Sequence, residues 1–241
     1  MSIQSHVSSF SALGLSEQAL RAVRTAHYEH PTPIQAKAIP PALAGQDVIG
    51  CAATGTGKTA AFVLPMIERL AGKSGTRGLV LAPTRELANQ IAEHATLFGA
   101  ARKVRCATLI GGVGMGGQIS ALRSSPQIVI ATPGRLIDHL EQRTARLDGI
   151  EILVLDEADR MLDMGFKPQL TRILARVPAQ RQTLLFSATM AGEVGEFART
   201  HLRAGAVRVE VARSGVTAER VDQQVFRVPQ EEKGALLMAL L

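Results

Sequence analysis

Ile152-Leu153-Val154-Leu155-Asp156-Glu157 is a continuous apolar run closed by two carboxylates. A strand buried on both faces reads this way, because neither side of it meets water. In open α/β sheets ligands collect at the carboxyl ends of the strands, which is where Asp156 and Glu157 stand. Asp156 fits a carboxylate on the Mg²⁺ side of a phosphate site. Glu157 fits a group that orients or deprotonates an attacking water. The alternative reading is two solvated acids at the start of the next helix.

Upstream, Ala52-Ala53-Thr54-Gly55-Thr56-Gly57-Lys58-Thr59 is a Gly-rich loop between the apolar stretch at 47–51 and a helical pattern carrying Phe62, Leu64, Met66 and Ile67. Backbone N–H groups wrap a triphosphate only where side chains stay out of the way, hence Gly55 and Gly57. Lys58 supplies charge for the terminal phosphates and the Thr59 hydroxyl a Mg²⁺ ligand. The phosphates then sit at a helix N-terminus, where the dipole favours anions. The strict pattern has Gly at its first position, where this chain has Ala52.

Working outward, short apolar runs alternate with helical patterns. Strands are expected near 47–51, 77–82, 104–109, 127–131, 151–156, 182–187 and 206–211. Such alternation predicts an α/β fold, a mostly parallel sheet with helices on both faces. A helix is expected over 15–28, and Thr32-Pro33 reads as N-cap and first-turn Pro of another. Residues 212–220 read as a linker, 221–228 as a strand and 231–241 as a helix; residues 1–9 are polar and expected to be loose.

The 241 residues are 46% hydrophobic but only 3% aromatic, with no Trp and one Tyr, so the core is expected to be aliphatic. A net charge of +6 favours anionic partners without naming one. Cys51 and Cys106 match no metal or redox spacing and are read as reduced thiols in strands. No segment approaches the ~18 apolar residues of a membrane span, and the N-terminus lacks the pattern of a signal peptide. A cytoplasmic location is therefore expected, with no membrane partner.

Asp156-Glu157-Ala158-Asp159 resembles the signature of the DEAD-box RNA helicases. Further blocks resemble that family's motifs in family order. Pro31-Thr32-Pro33-Ile34-Gln35 is similar to its Q motif, and the phosphate loop to its motif I, where Ala is usual at the first position. Pro83-Thr84-Arg85, Gly111-Gly112, Thr132-Pro133-Gly134-Arg135 and Ser187-Ala188-Thr189 follow in order. The composition and compact loops look most like the bacterial RhlE-type members.

The resemblance implies a RecA-like P-loop lobe over residues 10–211, with ATP and Mg²⁺ as cofactors. Lys58, Asp156 and Glu157 become catalytic, and Thr59 and Asp156 hold Mg²⁺. Thr54, Gly55, Thr56 and Gly57 line the phosphates. Gln35 would read the adenine edge, Tyr28 would stack on its ring, and Phe10 would lie nearby. The family has Gly before this aromatic, where His27 stands here. Pro83, Thr84, Arg85, Gly111, Gly112, Thr132, Pro133, Gly134 and Arg135 would grip a single RNA strand by its backbone, tolerant of sequence. For any one of these blocks, a strand-to-helix turn with no ligand is the alternative. Ser187 and Thr189 would couple hydrolysis to closure, Ser187 by bonding Asp159.

Residues 212–241 would open a second RecA-like lobe, whose later motifs, with an arginine finger, have no counterpart in this sequence. The tail is expected to be disordered, folded back, or paired with another chain. Two functions follow: the first lobe of an ATP-dependent RNA helicase, or a nucleotide- and RNA-binding module without turnover as it stands.

Overall fold

The structure is a computed structural model, and it describes residues 9–211 and 226–240. The chain divides into two compact units, Met1–Val211 and Ala212–Leu241.

The first unit is built on seven strands: β1 (Val48–Cys51), β2 (Gly78–Leu81), β3 (Cys106–Leu109), β4 (Ile128–Ala131), β5 (Ile152–Leu155), β6 (Gln182–Ser187) and β7 (Val207–Glu210). Each falls inside a segment expected to be a strand. The order across the sheet is β3-β4-β2-β5-β6-β1-β7, and every pairing is parallel.

The apolar runs are continuous because the sheet is covered on both sides. Successive side chains of a strand point to opposite faces, and the two core layers sort accordingly. Ile152 and Val154 of β5 join one layer, with Val80, Ile128, Ile130, Leu184 and Phe186. Leu153 and Leu155 join the other, with Leu79, Leu81, Val129 and Leu185. Helices α1 (Glu17–Thr25), α2 (Pro33–Leu43), α3 (Lys58–Leu70) and α4 (Arg85–Gly99) cover the first layer. Helices α6 (Pro133–Glu141), α7 (Ala158–Asp163), α8 (Lys167–Leu174) and α9 (Glu193–His201) cover the second. Helix α5 (Met115–Arg123) follows β3.

Helix α1 is shorter than expected at both ends. Ser16 is its N-cap, its hydroxyl accepting from Ala19 N. At the other end His27 N bonds Arg24 O and Tyr28 N bonds Val23 O, the paired bonds of a Schellman stop. Cys51 lies in β1 and Cys106 in β3, well separated across the sheet, and no disulfide joins them.

In the second unit, a 3-10 turn at Gln230–Glu232 leads into α10 (Lys233–Leu240). Leu237, Met238 and Leu240 of this helix are exposed. Of the strand expected at 221–228, residues 221–225 lie outside the described residues, as does the linker at 212–220. Phe226, Arg227 and Val228 form no strand. The physical reason is that a strand needs a neighbour to bond its backbone, and the described residues of this unit include no other. The loose segment expected at 1–9 lies outside the described residues apart from Ser9. No helix among the described residues is long and apolar enough to cross a membrane.

Candidate functional site

Because all strands run the same way, every expected motif that follows a strand emerges at one edge of the sheet. The loop at 52–57 follows β1, Pro83-Thr84-Arg85 follows β2, and Gly111-Gly112 follows β3. Thr132–Arg135 follows β4, Asp156 and Glu157 follow β5, and Thr189 follows β6. The strand order then divides the edge. The adjacent strands β5, β6 and β1 carry the nucleotide motifs; β3, β4 and β2 carry the blocks expected to grip RNA.

The nucleotide half is dominated by buried charge. Lys58 opens α3 and is 6% exposed, and its Nζ is buried with no hydrogen-bond partner. An unpartnered buried ammonium is costly, and a triphosphate is the kind of group that would satisfy it. Asp156 is 2% exposed. Burial pushes its carboxyl up to about 6, opposed by the charge of Lys58 and reinforced by that of Glu157. Its Oδ1 accepts from Glu157 N at 3.0 Å. The Thr59 hydroxyl and the Asp156 carboxylate are hard oxygen donors, few in number. This suits Mg²⁺, which keeps several waters and bridges to phosphate.

Glu157 is the N-cap of α7 and adopts a left-handed backbone, φ 51° and ψ 52°. A non-Gly residue there stores about 1–3 kcal/mol of strain. The strain aims the carboxylate back over the phosphate loop: Oε1 accepts from Thr54 Oγ1 at 3.2 Å and Oε2 from Arg160 Nη1 at 3.2 Å. Sequence reading did not single out Arg160. Its place three residues after Glu157 on a helix was the available signal.

Gln35 is buried beside the loop. Its Oε1 accepts from Thr32 N at 2.9 Å and its Nε2 donates to Gly57 O at 3.0 Å. One lone pair and one N–H of the amide are left for a base. Gly57 has φ 91°, and a Cβ there would strike the Gln35 amide, so the loop and the Q-motif side chain require each other. Thr56 closes the loop locally, donating to Ala53 O at 2.7 Å. Gly55, with φ 83°, is open to solvent.

Tyr28 is half-buried. Phe10 stacks on it at 6.3 Å, Phe98 meets it edge-on at 5.8 Å, and its hydroxyl bonds His94 Nε2 at 3.3 Å. Phe10, expected beside the base, is only 4% exposed. Its ring is covered on the side where it packs against Tyr28. His27 has φ 58°, the left-handed conformation that the glycine of the family pattern favours. The Schellman stop is therefore kept at the cost of strain.

Ser187 does not bond Asp159, contrary to expectation. Asp159 Oδ2 instead accepts from Ala188 N and Thr189 N, both at 3.0 Å, and from Thr189 Oγ1 at 3.3 Å. Ser187 is fully buried in β6 and its hydroxyl accepts from Thr189 N at 3.3 Å. The Ser187 hydroxyl is taken up by its own turn, and the link to Asp159 is made by the backbone beyond it.

The other half is open and glycine-rich. Thr84 is the N-cap of α4, its hydroxyl accepting from Leu87 N at 3.2 Å; Pro83 before it is buried. Arg85 is exposed, and its Nη1 donates to Gly111 O at a long 3.3 Å. Gly112 has φ 76° and a Cβ there would collide with the Arg85 guanidinium. Thr132 and Pro133 open α6, and no side chain caps it. Its first N–H groups, around Gly134, lack intrahelical partners. Arg135 is 13% exposed, donates to Val113 O at 2.8 Å and lies 3.4 Å from Asp138 Oδ2. Arg85 and Arg135 thus tie three separate blocks into one surface.

A family model described as DEAD/DEAH box helicase matches residues 32–197. The chain is 43% identical over 236 residues to a DEAD-box ATP-dependent RNA helicase CshA of Geobacillus kaustophilus, covering 98% of this chain and 50% of that protein. It is 44% identical over 233 residues to an ATP-dependent RNA helicase CshA of Listeria monocytogenes, covering 96% and 45%. The chain therefore spans about half the length of these curated relatives. A crystal structure of a DEAD box protein from Methanococcus jannaschii is similar with a TM-score of 0.80 at 34% identity, over 97% of this chain and 63% of that one.

Proposed function

Since this chain belongs to the DEAD/DEAH box helicase family, we propose that it is the nucleotide-binding lobe of an ATP-dependent RNA helicase. It binds ATP and single-stranded RNA at adjacent halves of one sheet edge. The observation that carries this reading is the buried, unpartnered Nζ of Lys58 beside the buried Asp156. Lys58 meets the terminal phosphates. Thr59 and Asp156 hold Mg²⁺, which when bound offsets phosphate charge. Glu157, oriented by Thr54 and Arg160, positions the attacking water and takes its proton. Gln35 offers adenine its remaining lone pair and N–H, and Tyr28 offers its free ring surface.

On the other half, Arg85, Arg135, the open start of α6 and the Gly111-Gly112 turn contact sugar and phosphate rather than base edges, so binding tolerates sequence. The bonds from Asp159 to Ala188 and Thr189 connect the hydrolytic edge to the strand-end turn that couples it to closure. Unwinding belongs to a protein that carries a second RecA-like lobe, with residues 212–241 the linker to it and its start. Such a protein works in the cytoplasm.

The test is ATP hydrolysis by this chain with and without single-stranded RNA, beside Glu157→Gln, together with titration of ADP and GDP. Adenine nucleotide bound in preference to guanine, with any turnover lost in the variant, is the expected result. Equal affinity for GDP would remove the role of Gln35. No nucleotide binding at all would sink the reading.

A further inference from the structure

The turn at residues 110–114 has little of its own to hold it. Gly111, Gly112 and Gly114 carry no side chains, and Val113 is exposed. A glycine-rich turn loses more backbone entropy on ordering than any other. Its shape is imposed from beneath by Gln118 of α5, which is 7% exposed.

Gln118 Oε1 accepts from Ile110 N at 3.2 Å. Its Nε2 donates to Ile110 O at 3.2 Å and Gly114 O at 3.3 Å, with a long contact to Val113 O at 3.5 Å. One amide therefore grips both limbs of the turn. Because Ile110 N–H is obligatorily a donor, the oxygen of the amide must face it, which fixes the orientation of the whole group.

That orientation determines the next link. His139 of α6 is completely buried, and its Nε2 lies 3.2 Å from the same Gln118 Oε1. An acceptor there requires Nε2 to carry the proton. His139 Nδ1 lies 2.8 Å from Thr144 Oγ1, and the Thr144 hydroxyl donates to His139 O at 3.1 Å. A chain of hydrogen bonds thus runs from His139 through Gln118 into the turn. It ties the far end of α6 to the same turn that Arg135, near the start of α6, holds by Val113 O. Apolar side chains would fill this space without the desolvation cost of a buried amide and imidazole. What the polar pair adds is a single geometry.

We propose that Gln118 and His139 are positioning residues for the bound single strand: they set the Gly111-Gly112 turn against the start of α6. The proposal rests on the reading of this edge as a nucleic-acid site. The experiment compares Gln118→Leu, His139→Leu, His139→Gln and the double Leu variant in the full chain. Three quantities are measured: affinity for a fluorescent oligouridine single strand, affinity for ADP, and amide hydrogen exchange at residues 111–114.

Each Leu variant is expected to weaken oligouridine binding about tenfold and to speed exchange in the turn, with ADP affinity unchanged. The double variant is expected to be no worse than Gln118→Leu, since both act through one link. His139→Gln, which can still donate to Gln118, is expected to stay within about twofold of wild type. Unchanged oligouridine binding and exchange in the Leu variants would overturn the positioning role while leaving the edge a nucleic-acid site. A parallel loss of ADP binding would reduce it to ordinary structural support, and His139→Gln would then be as damaged as His139→Leu. A wild-type chain that binds ADP but no oligouridine would overturn the nucleic-acid reading and the proposal together.

Discussion

The two halves of the sheet edge use opposite strategies. Around β5, β6 and β1, ionisable side chains are buried: Lys58, Asp156 and Glu157 are nearly inaccessible. Around β2, β3 and β4, the candidate contacts are an exposed arginine, glycines and an uncapped helix start. Chemistry at a phosphate needs charges fixed in a low-dielectric setting, where each is worth more than in water. Holding a polymer needs reachable backbone and cations over a wide surface. On the proposed reading, the first half accepts instability in return for reactivity, and the second accepts weak individual contacts in return for reach.

The largest expected effect breaks this comparison at the chemical step. Glu157→Gln should lower ATP hydrolysis by about 10²–10⁴-fold, with ADP and oligouridine affinity unchanged, as read by phosphate release and two binding titrations. Next, Lys58→Ala should weaken ADP binding by about 100-fold and leave oligouridine binding nearly untouched in the absence of nucleotide. If both fall together, the halves are one site rather than two.

Asp156→Asn sharpens the contrast in stability. Asn keeps the bond from Glu157 N and removes a carboxylate that burial disfavours. Denaturant unfolding of the unliganded variant at neutral pH should show about 1–3 kcal/mol of added stability, with hydrolysis lost. A destabilised variant would mean that the Lys58–Asp156 attraction outweighs burial.

Arg85→Ala, on the open half, should cost about 1 kcal/mol in oligouridine binding and lower the salt dependence by roughly one counterion. Affinities measured across a salt series check this. ADP binding should not respond.

The smallest effect concerns pH. Burial first, then the charge of Arg135, opposed by Asp138, holds the His139 pKa below its ordinary 6.5. The folded state therefore resists a proton that the unfolded state accepts. The stability this group contributes is full above pH 6.5 and is lost as pH falls through and below it. His139→Gln should flatten that acid slope in denaturant midpoints. Only part of the slope should vanish, because burial and Arg181 lower the His201 pKa in the same direction.

Much of the nucleotide half was legible in sequence because its signals are local. Gly55, Gly57 and Lys58 stand within four residues of one another, and the apolar run before Asp156 is continuous. Thr32 and Thr132 both prove to be helix N-caps followed by Pro. What escaped reading was contact between distant segments. Glu157 meets Thr54 across 103 residues, and Asp159 meets Thr189 across 30. No periodicity marks Gln118 or His139, since a buried polar pair looks in sequence like any polar residue on a helix.

Sequence by itself determined the seven strand positions, the phosphate loop, the paired carboxylates and the blocks between them. Those properties depend on side-chain alternation, glycine and helix caps, which act over a turn or a strand. Only the tertiary structure decided that β2 lies beside β4 and β5, which places the nucleotide motifs on one half of the edge and the other blocks on the second. It also decided that Phe10 stands behind Tyr28 and that Asp159 bonds the turn rather than Ser187. Crossover order and side-chain direction at strand ends are settled by packing two helical layers on one sheet, a global balance that no short stretch of residues encodes.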